Sequence, residues 1–188
     1  VGDDQYTIDR FSTVGELREY VGGDTDSDEN NGNPFSGLEK ITQIIASFTP
    51  FAVVSAYRSE LSDDENQERH EELLADAKSK FGSRVLELEG EFEGSKEKSI
   101  LVYGTEPVEL IARAWCEQYE QDAIIVSDGF EISMIKCDGS PYLDFTFNTL
   151  SVDPEDMKMA GGSSSYNGRK FVFTSLDPTN HLHYNPDA

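Results

Sequence analysis

The chain has 188 residues, with 37 Asp and Glu against 15 Lys and Arg, so its formal net charge is −22. This charge excludes nucleic-acid binding through a diffuse basic surface and excludes adsorption to an anionic membrane. Hydrophobic residues make up 37% of the chain, which is enough for a core. No apolar run approaches the ~20 residues of a membrane span, and the acidic start Val1–Asp4 does not resemble a signal peptide. We therefore expect a protein of the host cytoplasm or of a virion, neither in a membrane nor secreted by a signal peptide.

Residues 1–37 read as an N-terminal extension with an acidic flexible loop. Ser12 or Thr13 can cap a short helix over Val14–Val21. The segment Gly22–Gly37 that follows consists almost entirely of Gly, Asp, Ser, Asn and Glu. Because it has almost nothing to bury, we expect it to be the most mobile internal segment.

Residues 38–138 form the predicted core domain. Apolar residues at helical spacing predict a helix over Leu38–Phe48, and the apolar run Phe51–Tyr57 predicts a buried strand. Ser62 and Glu65 form a capping-box pattern that opens a second helix, and Gly82 ends it. Further along, the pattern predicts strands over Arg84–Phe92, Ser99–Tyr103, Ala123–Val126 and Phe130–Cys137, and a helix from Glu106 capped by Thr105.

This order of elements predicts an α+β fold. It matches the ferredoxin-like split βαβ pattern, an antiparallel sheet with two helices, with an N-terminal helical extension and a C-terminal β extension. A doubly wound parallel sheet is the alternative, but the short turn Glu93–Ser95 argues against it because parallel strands need a long crossover. The strands beginning at Phe51 and Ser99 are apolar throughout, so we expect them to be central neighbours.

Residues 139–188 read as a C-terminal β extension and tail. The pattern predicts strands over Tyr142–Thr149 and Lys170–Phe173, a loop over Met157–Tyr166, and an extended tail from Pro178. Two cysteines are too few for a disulfide framework, and Cys116 reads as a small core residue on its helix.

A polar cluster is predicted at one rim of the sheet, where strand ends and helix starts converge. Arg58 and Arg69 are scarce cations in this acidic chain, and two arginines near a helix N-terminus suit an anion such as phosphate. The alternative is that they form ion pairs with Glu97 and Asp122 and tie the sheet end together. The rim residues are Tyr57, Arg58, Asn66, Arg69, Glu97, Ser99, Gln121 and Asp122.

Several of these residues carry a resemblance to a family of small phage and bacterial proteins, the domain of unknown function DUF3293. The resemblance covers about residues 50–138 and implies a phage or microbial origin without implying a reaction. It rests on Phe51–Arg58, Glu65-Asn66, Arg69, Leu73-Leu74, Glu97–Val102 and Gln121–Ile124.

Searches for catalytic chemistry in the sequence find no strong signature. A nucleophile elbow, a phosphate-binding loop and a dinucleotide fingerprint are all absent from it. His181 and His183 share a strand face but lack a third ligand at motif spacing. We therefore expect no metal and no cofactor.

The acidic surface leads to the functional hypothesis. We expect a non-catalytic interaction protein of viral origin that binds a basic host protein, such as a nucleic-acid-binding or defence factor, because carboxylates can imitate phosphates and steer association. The candidate acidic face consists of Asp63, Asp64, Glu65, Glu68, Glu71 and Glu72. One alternative is a virion decoration or tail-associated protein that contacts neighbouring virion proteins. Another is a small enzyme or anion-binding domain that uses the Arg58 and Arg69 rim.

Overall fold

The computed structural model of the protein describes residues 33–176. The predicted helix at 14–21, most of the predicted mobile loop, His181, His183 and the C-terminal tail lie outside the described residues. The helices are α1 (Glu39–Ala46), α2 (Asp63–Phe81), α3 (Val108–Gln118) and α4 (Pro154–Ala160). The strands are β1 (Phe51–Ser55), β2 (Val85–Phe92), β3 (Ser95–Tyr103), β4 (Ile124–Ser127), β5 (Ile132–Ile135), β6 (Thr149–Ser151), β7 (Gly162–Tyr166) and β8 (Arg169–Thr174).

All of these strands belong to one curled antiparallel sheet with the order β5-β4-β1-β3-β2-β7-β8-β6. β1 and β3 are antiparallel neighbours, with Val54 opposite Ile100, which confirms the predicted pairing. The two edges of the sheet approach each other, because Ile132 of β5 forms a bridge to Phe147, just before β6. The result is a nearly closed, barrel-like sheet.

The predicted ferredoxin-like fold with two helices is therefore wrong. Within residues 33–176 the sheet has eight strands and is accompanied by four helices. The difference arises at β2, whose outer edge is not free but pairs with β7 from Glu89↔Ser165 to Phe92↔Gly162. β8 and β6 continue the sheet from there and curl it round.

The sheet separates two hydrophobic cores. One core lies between the sheet and helices α2 and α3, and the other lies on the concave face, which α1 covers. β1 is buried on both faces, since Val54 packs in the first core and Val53 in the second. This position between two cores explains why the sequence of β1 is an uninterrupted apolar run.

Helix α2 begins where the capping box predicts. The Ser62 Oγ accepts a hydrogen bond from the Glu65 amide at 3.2 Å, and the Glu65 carboxylate accepts one from the Ser62 amide at 2.9 Å. Together these bonds satisfy amides that the first helical turn leaves without intrahelical partners. The helix ends at Gly82, whose positive φ of 62° suits glycine.

Other boundaries differ from the sequence-based expectation. Thr105 does not cap α3, which begins at Val108 with Pro107 in the N-cap position and no side-chain cap. The segment expected to be a strand over Tyr142–Thr149 makes one isolated bridge, at Phe147, before β6 begins at Thr149. The expected loop over Met157–Tyr166 contains part of α4 and the whole of β7.

Glycine is required where β7 meets β2. A Cβ placed on Gly162 would lie 2.1 Å from the carbonyl oxygen of Glu91 and 2.6 Å from the Phe92 ring. A larger residue would therefore push the two strands apart.

Among the helices of residues 33–176, none combines the length and the apolar content needed to cross a membrane.

Cys116 and Cys137 form a disulfide that links α3 to the segment after β5, with their Cα atoms 5.3 Å apart. Cys116 is buried in the core, as expected, but it is also covalently bonded. Spacing along the sequence did not predict this bond, because Cys116 and Cys137, 21 positions apart, are brought together only by the packing of α3 against the sheet.

The capping box predicts a measurable loss of stability when its hydroxyl is removed. We expect Ser62→Ala to lower the free energy of unfolding by about 1 kcal/mol, because an N-terminal amide of α2 loses its acceptor. Urea unfolding of the variant beside wild type measures this. Ser83→Ala, at an exposed serine just after the same helix, should change stability far less; equal losses in both variants would contradict the assignment.

The disulfide predicts a stability that depends on the redox state. Replacing both Cys116 and Cys137 by Ala should lower the free energy of unfolding by about 3 kcal/mol, because the unfolded chain regains the freedom of the closed loop. Thermal unfolding with and without a thiol reductant measures the effect. The reductant should lower the thermal midpoint of wild type and leave that of the double variant unchanged. An equal midpoint of wild type with and without the reductant would refute the prediction.

Candidate functional site

The arginines of the predicted rim, with Asn66 and Gln121, bind mostly backbone atoms. Asn66 bridges both backbone groups of Arg58: its Oδ1 accepts from the Arg58 amide at 2.8 Å and its Nδ2 donates to the Arg58 carbonyl at 2.9 Å. The Arg58 guanidinium forms an ion pair with Glu60 and donates to the carbonyl of Glu120 at 2.5 Å. The hydrogen bond to the Glu60 carboxylate raises the pKa of Arg58. The pKa of Glu60 is lowered by a hydrogen bond from the Glu60 backbone amide and by the contact with Arg58.

The second rim arginine is also engaged by carbonyls. Arg69 donates to the carbonyl oxygens of Ala56 at 2.7 Å and Tyr119 at 2.6 Å, and its guanidinium lies 5.3 Å from the centre of the Tyr119 ring. Gln121 donates to the carbonyls of Tyr57 and Tyr119. Neither arginine pairs with Glu97 in the described part of the chain, so these contacts fasten the end of the sheet, and an anion site at the rim stays a prediction.

The remaining rim residues lie apart from this group. Ser99 is buried within β3 opposite Ser55. Asp122 is exposed, and its charge contributes to the raised pKa of Arg58. The rim therefore divides into a structural part around the arginines and a separate part that contains Tyr57 and Glu97.

The acidic face on α2 also divides into parts. Glu65 belongs to the capping box, and Glu71 accepts a hydrogen bond from the Gln67 amide at 3.1 Å. Glu68 and Glu72 are exposed along the helix. Asp63 and Asp64, in the first turn, line a cleft beside the sheet.

This cleft, of about 700 Å³, is the candidate functional site. β1 ends at Ser55, whereas β2 and β3 continue as a hairpin beyond it. The protruding hairpin carries charged cross-strand pairs, and the first turns of α2 form the opposite wall. The lining residues are Tyr57, Asp63, Asp64, Gln67, Glu89, Gly90, Glu91, Lys96, Glu97, Lys98, Ser163, Ser165 and Lys170.

The floor of the cleft follows directly from strand register. Glu89 lies opposite Lys98 in β3, and Glu91 lies opposite Lys96. On the other side of β2, Glu89 faces Ser165 of β7, so acidic, basic and hydroxyl side chains occupy neighbouring positions on one face. Lys170 of β8 pairs with Ser165 in register and closes the row.

A hydrogen-bonded chain crosses from the floor to the helical wall. The Lys98 ammonium donates to the Gln67 Oε1 at 2.9 Å, and the Tyr57 hydroxyl lies 3.4 Å from the same oxygen. The Gln67 Nε2 donates to Glu71, so the two ends of the Gln67 amide are oriented by groups of opposite charge. This chain sets the distance between α2 and β3 at the cleft.

Glu97 is a partly buried carboxyl of the cleft. It lies on the concave side of β3, opposite Gly90, and a Cβ on Gly90 would be 3.5 Å from the Glu97 Cγ. Because β1 ends before this level, the Glu97 side chain still reaches the cleft. Burial raises the pKa of the Glu97 carboxyl, and within residues 33–176 no hydrogen bond or ion pair compensates for it.

The pKa of the Tyr57 phenol is raised by its surroundings in the same cleft. Partial burial raises the pKa of its phenol, and the negative charges of Asp63, Glu89 and Glu97 raise it further. The phenol therefore stays protonated at neutral pH and can donate a hydrogen bond. The ring is held edge-on by the imidazole of His70, with 6.2 Å between ring centres.

His70 supports the site from beneath. It is 1% exposed, and its Nε2 lies 3.0 Å from the Glu87 Oε1. Its Nδ1 has no hydrogen-bond partner in the described chain.

A second cavity lies on the concave side of the sheet and is apolar. Its volume is about 330 Å³, and its walls include Phe92, Met134, Phe145, Phe147 and Phe171. Ser164 of β7 lines this cavity, while Ser163 and Ser165 line the polar cleft, so β7 separates the two.

Of the residues proposed from sequence, the cleft contains Tyr57 and Glu97 from the rim and Asp63 and Asp64 from the acidic face. Sequence reasoning missed the others. Charged residues recur at every second position on both arms of the hairpin. Because alternate residues of a strand lie on the same face, this pattern could have predicted a charged face. The missed residues are Gln67, Glu89, Gly90, Glu91, Lys96, Lys98, Ser163, Ser165 and Lys170.

No cluster of three His, Cys, Asp or Glu in residues 33–176 has the geometry to hold a metal ion. The cleft is instead an arrangement of separated charges that can bind a polar organic molecule carrying charges of both signs.

Comparison with known proteins connects this cleft to a family. The family model described as the S-Adenosylmethionine lyase family matches residues 52–172, which is more than half of the chain. Every residue that lines the cleft lies within the matched range. No curated protein gave a match to the chain.

This match overturns three expectations from the sequence. The resemblance to the DUF3293 proteins is wrong, because the model that matches is a different one. The expected non-catalytic interaction protein is also wrong, because the matching family is described by an enzymatic activity, and nothing in the match indicates a viral, phage or virion protein. The residues used for that resemblance are scattered over strands β1, β3 and β4, helix α2 and the loops between them. The chain belongs to the S-adenosylmethionine lyase family.

Proposed function

We propose that the protein cleaves S-adenosylmethionine at a carbon–sulfur bond, without water or a redox partner, in the cleft between α2 and the β2–β3 hairpin. The observation that carries this proposal is the family match across residues 52–172, which contains the entire cleft. The chemistry of the cleft supports it independently.

The substrate is a sulfonium ion that leaves readily as a neutral thioether. In an elimination, a base removes a proton from the carbon adjacent to the one that bears sulfur, a carbon–carbon double bond forms, and the carbon–sulfur electron pair goes to sulfur. The sulfonium methyl group has no neighbouring carbon and cannot leave in this way. The bonds to the amino-acid chain and to the ribose carbon remain as the bonds that can break.

The cleft has the charge that this substrate requires. Its five carboxylates exceed its three lysines, so its field attracts a cation. Burial raises the pKa of the Tyr57 phenol, and the carboxylates around it raise that pKa further, as expected where the potential is negative and a cation would be favoured. An anion without cationic groups would be repelled from the same place.

Glu97 is the base that the geometry supports best. Its carboxylate makes no hydrogen bond or ion pair among the described residues, so both oxygens are available to a substrate. Desolvation raises its pKa, which increases its basicity at the pH where it is still ionised. Tyr57, protonated at neutral pH, can orient a polar group of the substrate.

Removal of water favours this reaction for a physical reason. A carboxylate and a sulfonium are both charged before the reaction, and both charges disappear as the proton moves and the bond to sulfur breaks. Water stabilises the separated charges more than the dispersed charges of the transition state. A partly buried Glu97 therefore lowers the barrier more than an exposed carboxylate would.

The first test is direct. Purified protein should convert S-adenosylmethionine to a nucleoside thioether, or release methionine if the ribose bond breaks, and chromatography with mass detection distinguishes the two. Glu97→Gln should lower kcat about 100-fold or more, because the base is lost while the shape is kept.

The matched control for that variant is Glu117→Gln, an exposed position on α3 that removes the same charge far from the cleft. It should cleave as wild type does. A wild type that leaves S-adenosylmethionine intact would overturn the proposed activity, and a Glu97→Gln variant with full activity would overturn the assignment of the base.

The desolvation of Glu97 also predicts a cost in stability that depends on pH. The folded state raises its pKa above the ordinary value of about 4.3, so the folded state is penalised once the carboxyl ionises. The penalty is absent below the ordinary pKa and grows as pH rises through the raised value. Glu97→Gln should therefore raise the thermal midpoint relative to wild type, by an amount that grows as pH rises from about 4.3 to the raised pKa and stays constant up to pH 8.

Differential scanning fluorimetry across that range measures the effect. Glu117→Gln should show no comparable increase with pH, since it changes the net charge equally. A difference between Glu97→Gln and wild type that shrinks as pH rises would show that the Glu97 carboxylate is stabilised rather than penalised in the folded protein.

A further inference from the structure

The cations of the cleft differ in how they are paired. The Lys170 ammonium lies 3.7 Å from the Glu91 carboxylate. The Lys98 ammonium is held by the neutral amide of Gln67 at 2.9 Å, and among residues 33–176 no carboxylate lies within 4.0 Å of it. A half-buried cation in a carboxylate-rich cleft thus has no direct ion-pair partner among the described residues.

The amide that holds Lys98 is itself fixed. The Gln67 Nε2 points to Glu71, so its Oε1 must face Lys98 and Tyr57. An oxygen acceptor orients the ammonium without cancelling its charge. Two of the three ammonium protons remain available, and they can bind an anionic group directly.

The rest of the cleft restricts which anion can reach Lys98. With five carboxylates around it, a simple anion is repelled, whereas a molecule that brings cations together with one carboxylate is attracted. S-adenosylmethionine has this pattern, with a sulfonium and an ammonium group that are positive and one carboxylate that is negative.

We propose that Lys98, oriented by Gln67, binds the carboxylate of the amino-acid part of the substrate and so determines specificity for a substrate that retains this group. The proposal rests on the proposed function and deepens it. Lys98 positions the substrate; Glu97, its neighbour in β3, reaches the cleft from the other side of the strand. Adjacent residues of one strand thereby contact two parts of the substrate: Lys98 its carboxylate, and Glu97 the carbon that loses a proton.

The test uses two thioether analogues that cannot be cleaved because they lack the sulfonium: S-adenosylhomocysteine, and its decarboxylated counterpart, which differs only in lacking the carboxylate. Calorimetric titration should show that wild type prefers the carboxylate-bearing analogue about tenfold or more, as expected for one charge-assisted contact. Lys98→Met should remove that preference by weakening only the carboxylate-bearing analogue.

Two further variants complete the experiment. Gln67→Glu places a carboxylate where the amide oxygen holds Lys98, so it should compete with the ligand carboxylate and also reduce the preference, even if Lys98→Met folds poorly. Lys78→Met, exposed on the far half of α2, removes the same charge and should keep the preference of wild type.

The outcomes separate the two proposals. If wild type cleaves S-adenosylmethionine but Lys98→Met and Gln67→Glu keep the full preference for the carboxylate, or if wild type has no preference, the role of Lys98 is overturned and the lyase activity stands. If wild type does not cleave S-adenosylmethionine, the proposed function fails and the role of Lys98 in it fails as well.

Discussion

The pairing of β2 with β3 is the interaction on which the rest of the structure depends. It runs in continuous register from Val85↔Val102 to Phe92↔Ser95. The half near Val102 is apolar and contributes to the cores on both faces of the sheet. The half near Ser95 extends past the end of β1, carries charge, and provides the edge that receives β7. One hairpin thus joins the folded core to the floor of the cleft.

The charged half of that hairpin illustrates a conflict between stability and function. Opposed pairs such as Glu89↔Lys98 would favour a closed salt bridge, yet Lys98 is drawn instead to Gln67 on the facing helix. Glu97 is partly buried without a partner in the described chain, which lowers the stability of its ionised form. Unsatisfied charge is costly in a folded protein and is concentrated where a ligand can satisfy it.

The parts of the fold that the sequence predicts are those with local or strongly periodic signals. The capping box at Ser62 and the apolar run of β1 are signals of this kind, and both lie where they were expected. β7 was missed because its sequence, Gly162–Tyr166, is almost free of apolar residues and is held to β2 by backbone hydrogen bonds. The closure of the sheet was missed for the same reason, since β8 and β6 are connected to the core through β7. Tyr57 and Glu97 could be proposed from topology, but Lys98 could not, because its role depends on a contact with Gln67 that only tertiary packing creates.

The rim of arginines, although separate from the cleft, helps to position it. Arg69 holds the carbonyl of Ala56, and Gln121 holds the carbonyl of the next residue, Tyr57. The amide of Tyr57 donates to the Ser55 Oγ at 3.0 Å, so the backbone of Tyr57 is fixed on both sides. With the ring against His70, the Tyr57 hydroxyl points along the cleft wall to the Gln67 Oε1, 3.4 Å away. The two cations therefore have different roles. Arg69 donates its hydrogen bonds to backbone carbonyls and so holds the backbone, whereas the Lys98 ammonium faces the cleft.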